Sequence, residues 1–149
     1  MKRISYIIAC AFFIAACDTR EDGLNKYADE VIEKIADLKD RRLSDSLYAY
    51  FNHEEVQYRK EAVLAFGSIQ DSSAVEKLAD VLLNDADTTV RRAAAFAIGQ
   101  TRSLRSPQVL LNAYGKENDV TILNEILEAY GKTTRQWQRP PNKENTAEG

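Results

Sequence analysis

The feature that most constrains this chain of 149 residues is an internal repeat with a period of 32 residues. Three similar segments end in a glycine at the same place, and these glycines are Gly67, Gly99 and Gly131. Within each segment the apolar residues recur three or four positions apart, which is the spacing of one helical face. A period of this length built from helices predicts an α-helical solenoid. Because a solenoid presents an extended surface rather than a pocket around a reactive group, we expect a binding protein.

Each repeat is predicted to be a pair of helices, called A and B in their order along the chain. The A helices are predicted near residues 43–51, 74–83 and 107–114, and the B helices near residues 56–66, 90–98 and 120–130. A first helix, with apolar residues from Leu24 to Leu38, corresponds to a B helix without an A partner. Asp87 and Asp119 are suited to cap B helices at their N-termini, and the three glycines are suited to end them.

The second repeat carries a family resemblance. Its B segment, Asp87-Thr-Thr-Val-Arg-Arg-Ala-Ala-Ala-Phe-Ala-Ile-Gly99, resembles the short HEAT-like repeat of bacterial proteins, including the type found in phycobilin lyases. The third repeat matches less well, since Leu123 stands where the motif has arginine. The resemblance implies an all-α fold, a short right-handed αα solenoid of about three and a half HEAT-like repeats over residues 24–132. B helices would line one broad face and A helices the other.

The N-terminus has a different character. A basic leader, Met1-Lys2-Arg3, precedes an apolar run of 13 residues, Ile4–Ala16, which is too short to cross a bilayer as a helix. These features predict a signal peptide over residues 1–16. Its end, Ile14-Ala15-Ala16-Cys17, resembles the bacterial lipobox, which implies that Cys17 is lipidated and that residues 17–23 form a tether. The alternative is an ordinary signal peptide that leaves Cys17 as a free thiol.

Processing at Cys17 sets the expected location and charge. Loss of Lys2 and Arg3 reduces the basic residues from 20 to 18 against 23 acidic residues, a formal balance of −5. An acidic domain does not favour nucleic acid as a partner. We expect a protein held by its lipid anchor in the cell envelope of a Gram-negative bacterium, on the periplasmic side or in the outer membrane. Asp18, directly after Cys17, resembles both an inner-membrane retention signal and a surface-export signal, so the sequence does not decide which membrane and leaflet hold the anchor.

Four side chains on the B helices are predicted to bind another protein. Lys60 and Leu64 in the first repeat, and Arg92 and Phe96 in the second, fall on the helix side opposite the core stripe. Two apolar residues flanked by two cations would suit an apolar partner segment with an acidic rim. The alternative is that helix packing or the C-terminal tail covers Leu64 and Phe96.

Arg59 and Arg91 occupy equivalent positions at the start of successive B helices. They could form a ladder for anionic groups on a partner, but the reading we favour is structural. The resemblance implies that each arginine pairs with a loop acid, here Glu55 or Asp87 and their neighbours in the stack. Such pairs would make these arginines part of the scaffold.

No enzymatic site is predicted. His53 is the only histidine, and after processing no cysteine is available as a nucleophile or metal ligand, so we expect neither a metal nor a cofactor. The carboxylates are scattered along predicted solvent faces rather than grouped with a base. We therefore expect a non-catalytic scaffold or adaptor. The alternatives are a chaperone-like or accessory subunit of an envelope enzyme and, less favoured, a lyase-like enzyme.

After Lys132 the helical pattern stops. Residues 133–149 include Pro140-Pro141 and many polar residues, and they predict a disordered tail. Trp137 is the exception in this segment. It could anchor a partner or, as we favour, cover the apolar edge of the last repeat.

Overall fold

The computed structural model describes residues 29–137, with side chains as far as Arg135. This part of the chain is all-α and contains seven helices and one short 3-10 turn at Ser72–Ala74. The helices are α1 Glu30–Asp40, α2 Ser44–Tyr48, α3 Val56–Ile69, α4 Val75–Asn84, α5 Thr88–Gln100, α6 Ser106–Tyr114 and α7 Val120–Trp137. The element order alternates A and B helices as the sequence predicts.

The helices form two layers. In the B layer α1 packs on α3, α3 on α5 and α5 on α7, whereas in the A layer the main contact joins α4 to α6. Within each repeat the A helix packs on its own B helix, as α4 does on α5 and α6 on α7. This arrangement confirms the predicted all-α solenoid of HEAT-like repeats.

The core lies between the two layers and consists of apolar side chains at repeated positions. Ala62, Ala94 and Ile126 occupy the same register in α3, α5 and α7, and all three are buried. Alanine at this position lets neighbouring helices approach closely without leaving a cavity. One hydrophobic cluster therefore runs from α1 to α7.

The first A helix is shorter than predicted. The sequence predicts a helix over residues 43–51, but α2 ends at Tyr48 and tight turns follow. In these turns the amides of Tyr50 and Phe51 donate to the carbonyls of Leu47 and Tyr48. Leu47 and Phe51 are nevertheless buried, so the apolar pattern serves the core even where the helix has ended.

The prediction that the three glycines end the B helices is wrong. α3 continues through Gly67 to Ile69, α5 through Gly99 to Gln100, and α7 through Gly131 to Trp137, past the predicted domain end at Lys132. Among residues 29–137 no glycine has a positive φ angle. The residue that adopts the left-handed conformation after α3 is Gln70, with φ 56°.

Two of the glycines, Gly67 and Gly99, instead allow close packing between repeats. A Cβ atom added to Gly67 would lie 2.8 Å from Cε1 of Phe96, and one added to Gly99 would lie 2.8 Å from Cβ of Ala129. Both contacts join a B helix to the next B helix in the stack. At Gly131, in the last repeat, no described atom outside the local backbone of α7 lies within 4 Å of the added Cβ.

Candidate functional site

The start of each later B helix is fixed by an aspartate. Asp87 accepts hydrogen bonds from the amides of Thr89 and Val90 at 2.8 and 3.3 Å, and Asp119 does the same for Thr121 and Ile122. Hydrogen bonds from the threonine hydroxyls and from these amides hold the pKa values of both carboxyls below their usual range. These caps confirm the predicted role and fix the first turn of each helix.

Between α3, α5 and α7 lies a groove of about 310 Å³ on the B face. It contains all four residues that the sequence analysis selected for protein binding, and we call it the B groove. Its lining residues are Lys60, Leu64, Thr88, Thr89, Arg92, Ala93, Phe96, Thr121 and Glu125. The lining thus combines an apolar part, three threonines, two cations and one carboxylate.

Leu64 and Phe96 are half-buried rather than fully exposed. Leu64 packs against the hydrophobic core, and the ring of Phe96 lies over Gly67. Nζ of Lys132 lies 5.3 Å from the centre of the same ring, within the range of a cation–π interaction. The two apolar residues therefore belong to the groove lining and do not project as an apolar patch.

The charged residues of the B groove are not used to hold the described part of the fold together. Within residues 29–137 neither Lys60 nor Arg92 forms a hydrogen bond or ion pair, and the same holds for Glu125. The two cations are therefore available to a carboxylate brought by another molecule. The sequence places Thr89 and Thr121 on the outward side of their B helices but does not select them for binding, and it gives no signal for Thr88 or Glu125, which join the groove through the stacking of α5 and α7.

A second groove of about 210 Å³ adjoins the first between α1 and α3. Leu64 lines both grooves, and Lys39, Glu61 and Ser68 are among the polar residues of the second. The B face therefore carries two adjoining grooves, one on each side of Leu64.

Arg59 and Arg91 lie outside both grooves and hold the loops together. Nε and Nη2 of Arg59 donate to the carboxylate of Asp85 at 2.8 and 3.0 Å, and those of Arg91 donate to Glu117 at 2.9 and 3.4 Å. In each case the acid lies in the A–B loop of the next repeat. The structural reading is correct, and among the acids it allowed the partners are Asp85 and Glu117 of the neighbouring loops in the stack, not Glu55 or Asp87 themselves.

Each arginine also contacts its own loop. Nη1 of Arg59 donates to the carbonyls of His53 and Glu54, and Nη1 of Arg91 donates to those of Asp85 and Ala86. The hydrogen bonds from Arg91 hold the pKa of Glu117 below its usual range. With its donors committed in this way, the arginine ladder belongs to the scaffold and not to a binding site.

His53 is a loop residue at the position that Asp85 and Glu117 occupy in later repeats. Its Nδ1 accepts the amide of Glu55 at 3.1 Å, as Asp85 accepts the amide of Asp87 at 2.8 Å. Its ring packs edge-on against Tyr58 at 4.9 Å. Among residues 29–137 no group of three or more histidines, cysteines and acids is arranged to hold a metal ion.

Several predictions concern residues that the structure does not describe. The signal peptide at 1–16, the lipidated Cys17 with its tether, and the tail beyond Trp137 all lie outside residues 29–137. None of the helices within that range combines the length and apolar character needed to cross a membrane.

Comparison with known proteins identifies the repeat. A family model whose description is HEAT repeats matches the chain twice, over residues 20–99 and 44–131. The two matches overlap and together span well over half of the chain, from before α1 into α7. No curated protein matches the sequence.

Proposed function

This chain belongs to the HEAT-repeat family, and from that membership we propose that it is a non-catalytic scaffold or adaptor that binds another protein through its B face. HEAT repeats are commonly protein-interaction scaffolds. The partner is another protein rather than nucleic acid, since the chain carries a net charge of −3.

The observation that carries the proposal is the composition of the B groove. Lys60 and Arg92 have no ionic partner within residues 29–137, and they stand beside the half-buried side chains of Leu64 and Phe96. Interface anchors are typically an apolar side chain in a concave site together with a charge that is paired only on binding. The groove therefore suits a partner segment in which an apolar residue is adjacent to an aspartate or glutamate.

Photo-crosslinking in cells tests this role. We place a photoreactive residue at Thr89, which lines the B groove, and a control probe at Lys77, which is exposed on α4 in the A layer. The expected result is one envelope protein captured from position 89 and not from position 77. Several unrelated proteins captured from position 89 would favour the chaperone-like alternative.

A charge reversal makes the test specific to the groove. Arg92→Glu replaces a groove cation that has no partner within the described range, so the fold should tolerate it while capture falls about tenfold or more. Arg105→Glu is the matched control, because Arg105 is an exposed arginine outside the groove. Equal capture by the two variants would contradict the proposed site.

We also propose that the scaffold is a lipoprotein of the cell envelope, anchored through Cys17. The support is the lipobox-like sequence and the basic leader before it. Cys17→Ser should abolish fatty-acid labelling and membrane fractionation, whereas Cys10→Ser, within the leader, should preserve both. A Cys17→Ser protein that is still labelled would refute the anchor without affecting the binding proposal.

A further inference from the structure

The C-terminal end of the stack, formed by α6 and α7, exposes apolar residues at positions that earlier repeats bury. Leu111, Tyr114 and Leu127 are 49, 42 and 50% exposed. The residues 32 positions earlier are Ala79, Leu82 and Ala95, and all three are buried in helices that α6 and α7 cover. The last repeat thus presents the kind of surface that the other repeats use to receive a neighbour.

Gly131 gives the same indication by an independent observation. Its equivalent Gly99 is buried and receives the next B helix so closely that an added Cβ would lie 2.9 Å from Cα of Ala129. Gly131 keeps this close-approach position on α7, but within residues 29–137 no atom outside the local backbone of α7 would lie within 4 Å of its Cβ. We call the surface of Leu111, Tyr114, Leu127 and Gly131 the end face.

The end face is not built to receive another repeat of the same kind. Arg59 and Arg91 each bind an acid in the next repeat, but the equivalent position in α7 is Leu123. A further ordinary repeat would bring an acid that nothing on α7 pairs. The polar ladder therefore stops at α7 while the apolar surface continues.

Two other occupants, the tail after α7 and the opposite end of a second copy, are poorly suited to the end face. Residues 138–149 follow α7 directly, but their apolar side chains are limited to two prolines and Ala147. At the opposite end of the stack, the exposed residues of α1 include Glu33, Lys34 and Asp37, so head-to-tail stacking of two chains would bury charges against leucines.

We propose that the end face binds the same face of a second copy of this chain, with the two α7 helices antiparallel about a two-fold axis near Gly131. Glycine at the axis allows the two helices to approach closely. Such an interface is isologous, so it closes as a dimer and does not extend into a filament.

The charges on α7 fit this arrangement. Glu128 and Arg135 are exposed and lie on either side of Gly131, three and four residues from it. Glu128 pairs with Lys132 at 2.8 Å in the single chain, and Nε of Arg135 donates to the carbonyl of Gly131 at 3.1 Å, so a partner charge would meet a carboxylate that keeps an exposed oxygen and a guanidinium with its Nη atoms unpaired within residues 29–137. In an antiparallel pair centred there, Glu128 of one copy lies beside Arg135 of the second copy, and the symmetry forms this contact twice. Opposite charges thus meet in the antiparallel pairing, whereas a parallel pairing would place like charges together.

Photo-crosslinking of the full-length chain in cells tests the dimer. A photoreactive residue at Leu127 should produce a species of twice the chain mass, in which the captured peptide comes from α7 of the second copy. A probe at Leu83, which is 39% exposed on α4 away from the end face, should produce no such species.

Gly131→Leu is the decisive variant. It should fold normally, because a Cβ at this position has no neighbour within 4 Å outside its own helix turn, but it should separate the two α7 helices and lower the dimer yield about tenfold or more. If that variant folds poorly, exchange of the charges at Glu128 and Arg135 tests the dimer instead. Glu128→Arg and Arg135→Glu should each lower the yield, and the double variant should restore it.

Other outcomes would overturn the proposal. Capture of a different protein from position 127, capture within one chain by residues 138–149, or no capture from a folded chain would each do so. So would a dimer yield that Gly131→Leu leaves unchanged. Because the B groove is a separate surface, none of these results affects the proposed scaffold function.

Discussion

Replacing each of the three register glycines with alanine should give three different results. In the middle of a helix with ordinary backbone angles, alanine is more stable than glycine by about 1 kcal/mol. At Gly131 nothing within residues 29–137 opposes that gain, so Gly131→Ala should raise the free energy of unfolding by about 0.5 to 1 kcal/mol.

At Gly99 the same change should destabilise the fold. The new Cβ would lie 2.8 Å from Cβ and 2.9 Å from Cα of Ala129, and neither atom can move without shifting α7. Overpacking of this kind costs about 3 kcal/mol at the upper end of its range. After subtracting the helix gain, we expect a net loss of about 2 kcal/mol.

The change in the free energy of unfolding caused by Gly67→Ala should lie between those of Gly131→Ala and Gly99→Ala. Its Cβ would meet the edge of the Phe96 ring at 2.8 Å, and this half-buried side chain can shift towards solvent. The overpacking cost and the helix gain should therefore nearly cancel, leaving a change within about 0.5 kcal/mol of zero.

Urea unfolding followed by far-ultraviolet circular dichroism measures these differences. The chain used begins at residue 18, and the protein concentration is lowered until the midpoints no longer depend on it, so that the proposed dimer does not contribute. If Gly99→Ala were as stable as the parent chain, close approach would not be the reason for glycine in this register.

Three further predictions concern the hydrogen bonds that hold the loops. Arg91→Leu leaves Glu117 unpaired at a mostly buried site and should cost about 2 kcal/mol, whereas Arg105→Leu removes an exposed pair and should cost under about 0.5 kcal/mol in the same urea assay. The pKa of Glu117 is lowered by folding, so its stabilisation is present at neutral pH and is lost as the pH falls below its ordinary value of 4.5. Glu117→Gln should therefore reduce the acid-induced loss of stability, and an unchanged pH profile from pH 7 to about 3 would contradict this. Asp87→Ala removes the N-cap of α5 and should cost about 1 kcal/mol, most of which Asp87→Ser should restore.

The fold could be predicted from sequence because its determinants are periodic. The three B segments repeat apolar residues at helical spacing, and Asp87 and Asp119 mark the start of α5 and α7. The positions at which the helices end were harder to predict from the sequence. A glycine near the end of an apolar helix suits both a C-cap and a close contact with a neighbour, and only the position of the next helix distinguishes the two.

The candidate site was predictable in part for the same reason. Lys60, Leu64, Arg92 and Phe96 recur at equivalent positions on adjacent B helices, so the repeat places them on one surface. The acids that bind Arg59 and Arg91 were not singled out among Glu55, Asp87 and their neighbours in the stack, because the sequence offers several loop acids at similar distances. The choice of Asp85 and Glu117 depends on the offset between repeats, which the sequence does not specify.

The arginine ladder also bears on how such a chain could become longer. The second repeat, residues 72–103, contains both an acceptor, Asp85, for the preceding arginine and a donor, Arg91, for the following acid. A tandem duplication of these 32 residues would therefore join at both ends, with one Arg91 reaching the duplicated Asp85 and the other reaching Glu117. Duplication of the third repeat would fail at its junction, because Leu123 offers no donor. The ladder therefore allows a repeat to be added in the middle of the array but not at its C-terminal end.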